Sequence, residues 1–244
     1  MTLVHKPTDW TKHPLHVAAI SGNNSEVERL LSGGTRARIN ETLVVEGTAL
    51  HVASHLGHFE VVRLLLEKGA AVDATVDRFG TTPNHVGGAL SGTPLHDAVT
   101  AGHTEIAQLL LDYGADINSK EGLFHLTPLH AAVRANNGSM VRFLISKGAE
   151  VNAVADREPP PDDFFGSYMI CPDVGMTPLH VAAREGYTTI ARQLVAAAAA
   201  VDVKVARTYK EYRRYQGLTA LQLAKEKLTD DEELVRLLGT PSVA

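Results

Sequence analysis

The stretch "TPLHDAVTAGHTEIAQLLLDYGADIN" (93–118) decides the fold. Thr93 before Pro94 reads as a helix start: the hydroxyl can accept from an orphan backbone N–H, and proline needs none at the first helical position. Leu95, Ala98 and Val99 follow at helical spacing, Gly102 breaks this short helix, and Thr104 is placed to cap the next. Ile106, Leu109 and Leu110 recur at i, i+3 and i+4 and make one apolar stripe. Gly114 then stops the second helix in the left-handed conformation, and "ADIN" leads outward. Neither helix is long enough to stand alone, and each has an apolar face that only a neighbouring unit covers.

The unit recurs. "HPLHVA" (13–18), "TALHVA" (48–53), "TPLHDA" (93–98), "TPLHAA" (127–132), "TPLHVA" (177–182) and "TALQLA" (219–224) all keep Leu third and Ala sixth. This pattern resembles the ankyrin repeat, with its period of about 33 residues and its T-P-L-H-x-A signature. The resemblance implies an all-α solenoid of helix–turn–helix units joined by β-hairpin fingers, with a concave face of fingers and first helices that holds a partner. It spans residues 12–240 as one domain, between a lead-in at 1–11 and a tail at 241–244. The repeats fall at about 12–41, 47–77, 92–121, 126–156, 176–206 and 218–240.

The period breaks in three places. Motif starts at 13, 48, 93, 127, 177 and 219 leave extra length at 75–92, 154–176 and 204–218, each where a finger belongs. These enlarged fingers hold seven of the thirteen aromatics: Phe79, Phe164, Phe165, Tyr168, Tyr209, Tyr212 and Tyr215. Phe124 lies in a fourth, nearly regular finger. Loops on a rigid scaffold carry recognition, and aromatics anchor interfaces; the alternative is that the rings pack among themselves. The second long finger is acidic (Asp156, Glu158, Asp162, Asp163, Asp173) and the third basic (Lys204, Arg207, Lys210, Arg213, Arg214). They flank one repeat, so mutual neutralisation is favoured over two separate electrostatic sites. The segment "RTYKEYRRYQ" (207–216) spaces its tyrosines at i, i+3 and i+6 and reads as a short helical insert with Arg213 and Arg214 at its rim.

Other chemistry is weakly supported. A net charge of −5 argues against a surface built for nucleic acid or anionic membrane, leaving only the basic island at 204–218. The lone Cys171 fits a reducing compartment and reads as a loop residue rather than a nucleophile. The N-terminus shows no signal peptide, and "LVAAAAAV" (194–201) is far short of a membrane span, so a cytoplasmic or nuclear location is expected. His51, His55 and His58 have a spacing that suggests zinc, yet the resemblance accounts for His51 and His58 as repeat positions. No metal, cofactor or catalytic motif is expected. Ala198 replaces a helix-ending glycine, so that helix is expected to run on or end differently, and Gln222 replaces His in the last motif. Asn118 and Asn152 sit where similar repeats of animal proteins are hydroxylated.

The function expected is non-catalytic protein binding by a monomer. Its contacts are assigned to Phe79, His85, Phe124, Phe164, Phe165, Tyr168, Tyr209, Tyr212, Arg213, Arg214 and Tyr215. One alternative is a small-molecule pocket, with or without chemistry, enclosed by the three long fingers. Another is a regulatory module of a larger protein.

Overall fold

The computed structural model describes residues 12–32, 38–43, 47–75, 92–120, 125–156, 173–206, 210–227 and 232–239. The chain divides into two compact units, Met1–Asp116 and Ile117–Ala244. The first contains α1 (Pro14–Ile20), α2 (Asn24–Ser32), α3 (Ala49–Leu56), α4 (Phe59–Glu67), α5 (Pro94–Ala101) and α6 (Thr104–Asp112). The second contains α7 (Pro128–Arg134), α8 (Gly138–Ser146), α9 (Pro178–Glu185), α10 (Thr188–Ala196), α11 (Ala220–Lys227) and α12 (Glu232–Gly239), with a 3-10 helix at Lys210–Tyr215. Within each unit first helices pack on first helices and second helices on second: α1 on α3 on α5 and α2 on α4 on α6, then α7 on α9 on α11 and α8 on α10 on α12. This is an all-α repeat stack.

The motif leucines and alanines form the core. Leu50, Leu95, Leu129 and Leu179 are at most 1% exposed, and Ala53, Ala98, Ala132 and Ala182 are fully buried. Each buried leucine contributes about 1.5–3 kcal/mol, and the small alanine lets the paired helices approach. The stripes of the second helices, such as Val61, Val62 and Leu65 of α4 and Met140, Val141 and Leu144 of α8, close the other side.

Two histidine systems fix how successive repeats meet. In the motif, the backbone N–H of Thr48, Thr93, Thr127 and Thr177 donates to Nδ1 of the histidine three residues on, at 3.2–3.3 Å. Nδ1 is therefore the acceptor, and the ring proton sits on Nε2. That proton reaches forward: His16 to the Gly47 carbonyl, His51 to Gly92, His130 to Met176 and His180 to Val203, at 2.9–3.2 Å. In the last motif Gln222 reproduces the cap, its Oε1 accepting from Thr219 N–H at 2.8 Å. The second system runs backward. His58 donates to the Ile20 carbonyl and His103 to the His55 carbonyl, each ring lying against a helix-ending glycine. A Cβ on Gly22 or Gly57 would come within 2.8 and 2.6 Å of those rings, and both glycines have left-handed φ.

Two helix ends differ from the sequence expectation. Thr104 does not cap α6; it is the first helical residue, and His103 is the N-cap with its ring turned to the previous repeat. The fifth repeat's second helix does not run on past Ala198 either. It ends at Ala196, because Ala198 takes φ 62° and lets Ala199 N–H reach the Leu194 carbonyl at 3.0 Å. The glycine-ended helices make the same closure, from Ala70, Ala115 and Ala149. Tertiary packing of the buried Ala199 (3% exposed) outweighs the strain, which is about 1 kcal/mol for a residue with a Cβ.

Two predictions follow from these bonds. Replacing Ala198→Gly keeps the closure and removes the strain, so denaturant unfolding is expected to show up to about 1 kcal/mol more stability. Burial pushes the His130 and His180 imidazoles down to about 4, against the pull of their carbonyl partners. The unfolded chain takes up protons near 6.5 and the folded one only near 4, so the stability these rings supply is whole above pH 6.5. It is lost as the pH falls toward 4, by about 3 kcal/mol for each. His180→Gln, which copies Gln222, is expected to lower the pH midpoint of acid unfolding followed by circular dichroism; an unchanged midpoint would count against the account.

Candidate functional site

The face of the first helices at motif positions five and eight is the candidate surface. Position five is Val17, Val52, Asp97, Ala131, Val181 and Leu223 in the six repeats. Val17 is 43% exposed, and Val52 and Ala131 are half-buried. Asp97, Val181 and Leu223 are 2%, 0% and 1% exposed. These three belong to the repeats that follow the long segments 75–92, 154–176 and 204–218, so burial of this face tracks the length of the preceding finger. In the first unit the open end of the face is apolar: Val17 and Ile20 (39% exposed) lie at i and i+3 on α1, and on α3 Leu56, at position nine beside the half-buried position-eight His55, is 44% exposed.

In the second unit position eight is arginine in consecutive repeats, Arg134 and Arg184, and both meet one acid of the second finger. Asp173, 1% exposed, lies 2.6 Å from a terminal guanidinium nitrogen of Arg184 and 3.3 Å from Nε of Arg134. Arg184 is itself only 5% exposed; its Nε meets Glu185 at 2.8 Å and a terminal nitrogen meets Met176 Sδ at 3.6 Å. Burial opposes the Arg184 charge, but Asp173 and Glu185 outweigh it and hold the group above its ordinary value. The same stretch, "DVGM" (173–176), is a backbone junction. Gly175 N–H donates to the Ala155 carbonyl, the Met176 carbonyl accepts from Ala155 N–H and His130 Nε2, and the Gly175 carbonyl accepts from Ala206 N–H. That last bond, 2.8 Å, joins the second finger to the third.

The third finger closes on itself. Val205 N–H donates to the Leu218 carbonyl and Gly217 N–H to the Val205 carbonyl, and Lys204 bridges Thr219. The helical insert expected at 207–216 is present as the 3-10 helix Lys210–Tyr215. Its last residue turns inward: Tyr215 is 4% exposed, its hydroxyl accepts from Arg214 at 2.6 Å, and the Arg214 guanidinium lies 4.6 Å from the ring centroid. Arg213 and Arg214 are exposed.

Among the described residues the acids of the second finger, Asp156 and Asp173, pair with groups outside the third finger; Glu158, Asp162, Asp163, Arg207 and the Lys210 side chain, on which the expected neutralisation also rests, lie outside the described residues. Asp156 pairs with Lys120 at 2.9 Å and with His125 at 3.3 Å. Partial burial works against that carboxylate, but the Lys120 ammonium and His125 hold it below its ordinary value. Asn118 and Asn152 each accept a backbone N–H of the next repeat, from Glu150 and Ala200, both at 2.8 Å. Phe79, His85, Phe124, Phe164, Phe165, Tyr168 and Tyr209 lie outside the described residues, as does the side chain of Tyr212. His51 and His58 turn to different repeats, Gly92 and Ile20, so their spacing does not gather ligands. Sequence reasoning missed Arg134 and Arg184, although arginine at one motif position in consecutive repeats beside an acidic finger was a usable signal.

Among the described residues, removing the acid leaves the buried Arg184 with Glu185 as its remaining ion-pair partner. Asp173→Ala is expected to cost the second unit about 3 kcal/mol, while Arg134→Ala, whose side chain is 35% exposed, costs about 1 kcal/mol or less. Denaturant titration of both variants checks this, and equal losses would contradict the geometry.

Residues 15–121 and 79–155 match the family profile of ankyrin repeats in three copies, and residues 174–206 match that of the single ankyrin repeat. A segment of 68 residues is 41% identical to the human transient receptor potential cation channel subfamily A member 1. It is 28% of this chain and 6% of that channel, so the chain spans only a small part of the relative's length. Among the described residues no helix is long and apolar enough to cross a membrane. With profile matches over more than half of its length and the two histidine systems repeated along it, the chain belongs to the ankyrin repeat family.

Proposed function

We propose that this chain is a non-catalytic protein-binding module whose partner rests on the position-five and position-eight face of α1 and α3. Ankyrin repeats are generally protein–protein interaction modules, and the family is generally non-enzymatic. The observation that carries the reading is the exposure of Val17 and Ile20, at 43% and 39%. Position five, which Val17 occupies, is sealed in the third, fifth and sixth repeats. Apolar side chains at i and i+3 on a rigid helix supply contact area at small entropic cost.

The third finger offers a separate contact in the second unit. Tyr215 anchors the 3-10 helix in the core, and Arg213 and Arg214 stand exposed at its end. Guanidinium groups held this way suit forked hydrogen bonds to carboxylates. The finger aromatics Phe79, Phe124, Phe164, Phe165, Tyr168, Tyr209 and Tyr212, with His85, extend these surfaces in the same reading.

Affinity capture with wild type, with Val17→Glu/Ile20→Glu and with Arg213→Glu/Arg214→Glu tests both surfaces, after circular dichroism confirms equal helix content. The α1 variant is expected to lose at least tenfold in retention of a wild-type partner, and the arginine variant to lose partners retained at low salt. A partner set unchanged by the α1 substitutions would overturn the assignment. Retention of a small molecule with no protein would favour an enclosed pocket instead.

A further inference from the structure

We propose that His13, His16 and Glu41 form a three-ligand site for a divalent transition-metal ion of the zinc class. One ligand atom from each lies within 4.8 Å of the others. His13 Nδ1 and Glu41 Oε1 are 3.3 Å apart, which is about the edge of a tetrahedron whose metal–ligand bonds are about 2.0–2.1 Å. The two imidazole rings meet edge to face at 6.0 Å between centroids.

The repeat pattern explains why, among the described residues, such a cluster arises at the first motif. In the other five motifs position one is threonine, and in the second its hydroxyl lies 2.8 Å from the motif histidine's Nδ1. In the first motif position one is His13, which makes no side-chain cap bond and brings a second imidazole to that place. His16 is fully buried and its Nε2 donates to the Gly47 carbonyl at 3.0 Å. The nitrogen it offers a metal is then Nδ1, with the other N–H held by a backbone carbonyl, as in most protein metal sites. The side chains of His13 and Glu41 are 20% and 31% exposed, while the Nδ1 atoms of His13 and His16 are buried; a four-coordinate ion would take its fourth ligand from solvent.

Two imidazoles and one carboxylate are the ligand set of three-residue zinc sites. Lys12 and Arg38, joined by a bond from Arg38 to the Lys12 carbonyl, place positive charge nearby and weaken the affinity for a cation. A bound ion would tie the start of α1 to the 38–43 segment of the first finger.

The test uses the full chain, stripped with chelator, and Co2+ followed by Zn2+ as probes. Wild type is expected to bind one equivalent of Co2+ with the visible absorption of a four-coordinate site, to release it to Zn2+, and to unfold a few degrees higher with saturating Zn2+. His13→Thr restores the threonine of the other motifs, so it keeps the fold while losing at least tenfold in metal affinity and all of the thermal shift. Glu41→Gln, which changes one solvent-facing group, is expected to lose affinity similarly and decides the matter if His13→Thr folds poorly. No four-coordinate Co2+ spectrum from wild type overturns the proposal, as does binding that survives both substitutions, since the ion would then sit among other histidines.

Discussion

One bond recurs wherever two repeats of a unit meet: the Nε2–H of a buried motif histidine donating to a carbonyl at the base of the next finger. In the motifs that begin with threonine it requires a neutral ring, because the threonine N–H already occupies Nδ1 as an acceptor. The bond is worth about 1 kcal/mol net, but leaving either buried group unsatisfied costs about 1–3 kcal/mol, so the carbonyl must arrive. In three cases the acceptor directly precedes the next motif: Gly47, Gly92 and Met176, lying 31, 41 and 46 residues beyond their histidines. Lengthening the closed loop from 31 to 46 residues adds about 0.4 kcal/mol of closure entropy. That is small beside the bond, so the stack tolerates insertions in the finger without a change in how its helices meet.

The parts legible in the sequence are the parts that repeat. Leu and Ala at motif positions three and six, the glycines between helices and the histidines all follow from periodic pattern, and Gln222 keeps the cap because its amide oxygen stands where Nδ1 would. The part that was missed joins a periodic feature to a residue without a period. The Asp173 clamp joins one finger residue to two helices, and Arg134 lies 39 positions away from the acid it meets. Ala198 looked like the loss of a stop signal, but the stop is set by the Ala199–Leu194 bond and the burial behind it, so packing imposes the left-handed turn without glycine. Tyr215 was grouped with partner contacts by its spacing; spacing says that residues share a side, not whether that side faces inward.

Finger length and binding surface compete for the same face. After short connections position five is half-buried, as at Val52 and Ala131, and in the first repeat Val17 is exposed; after long ones it is buried, as at Asp97, Val181 and Leu223. The long fingers are therefore not simple additions to an open groove. In the repeats that follow them, position five is buried among the described residues, while Arg213 and Arg214 of the third finger stay exposed.

The buried acid shows what holds such a finger in place. An apolar residue at 173 packed against apolar residues at 134 and 184 could be as stable, since desolvating Asp173 and Arg184 offsets much of their attraction. Apolar contact, however, is indifferent to small shifts along the helices. A carboxylate that must meet the same motif position in two consecutive repeats has one register, because a one-residue slip leaves a charge buried without its partner. Together with the Gly175, Met176 and His130 bonds, the clamp fixes the base of the second finger. Through the Ala206–Gly175 bond it also fixes the start of the third. The position of the exposed arginines at 213 and 214 thus depends on an ion cluster at the base of the neighbouring finger.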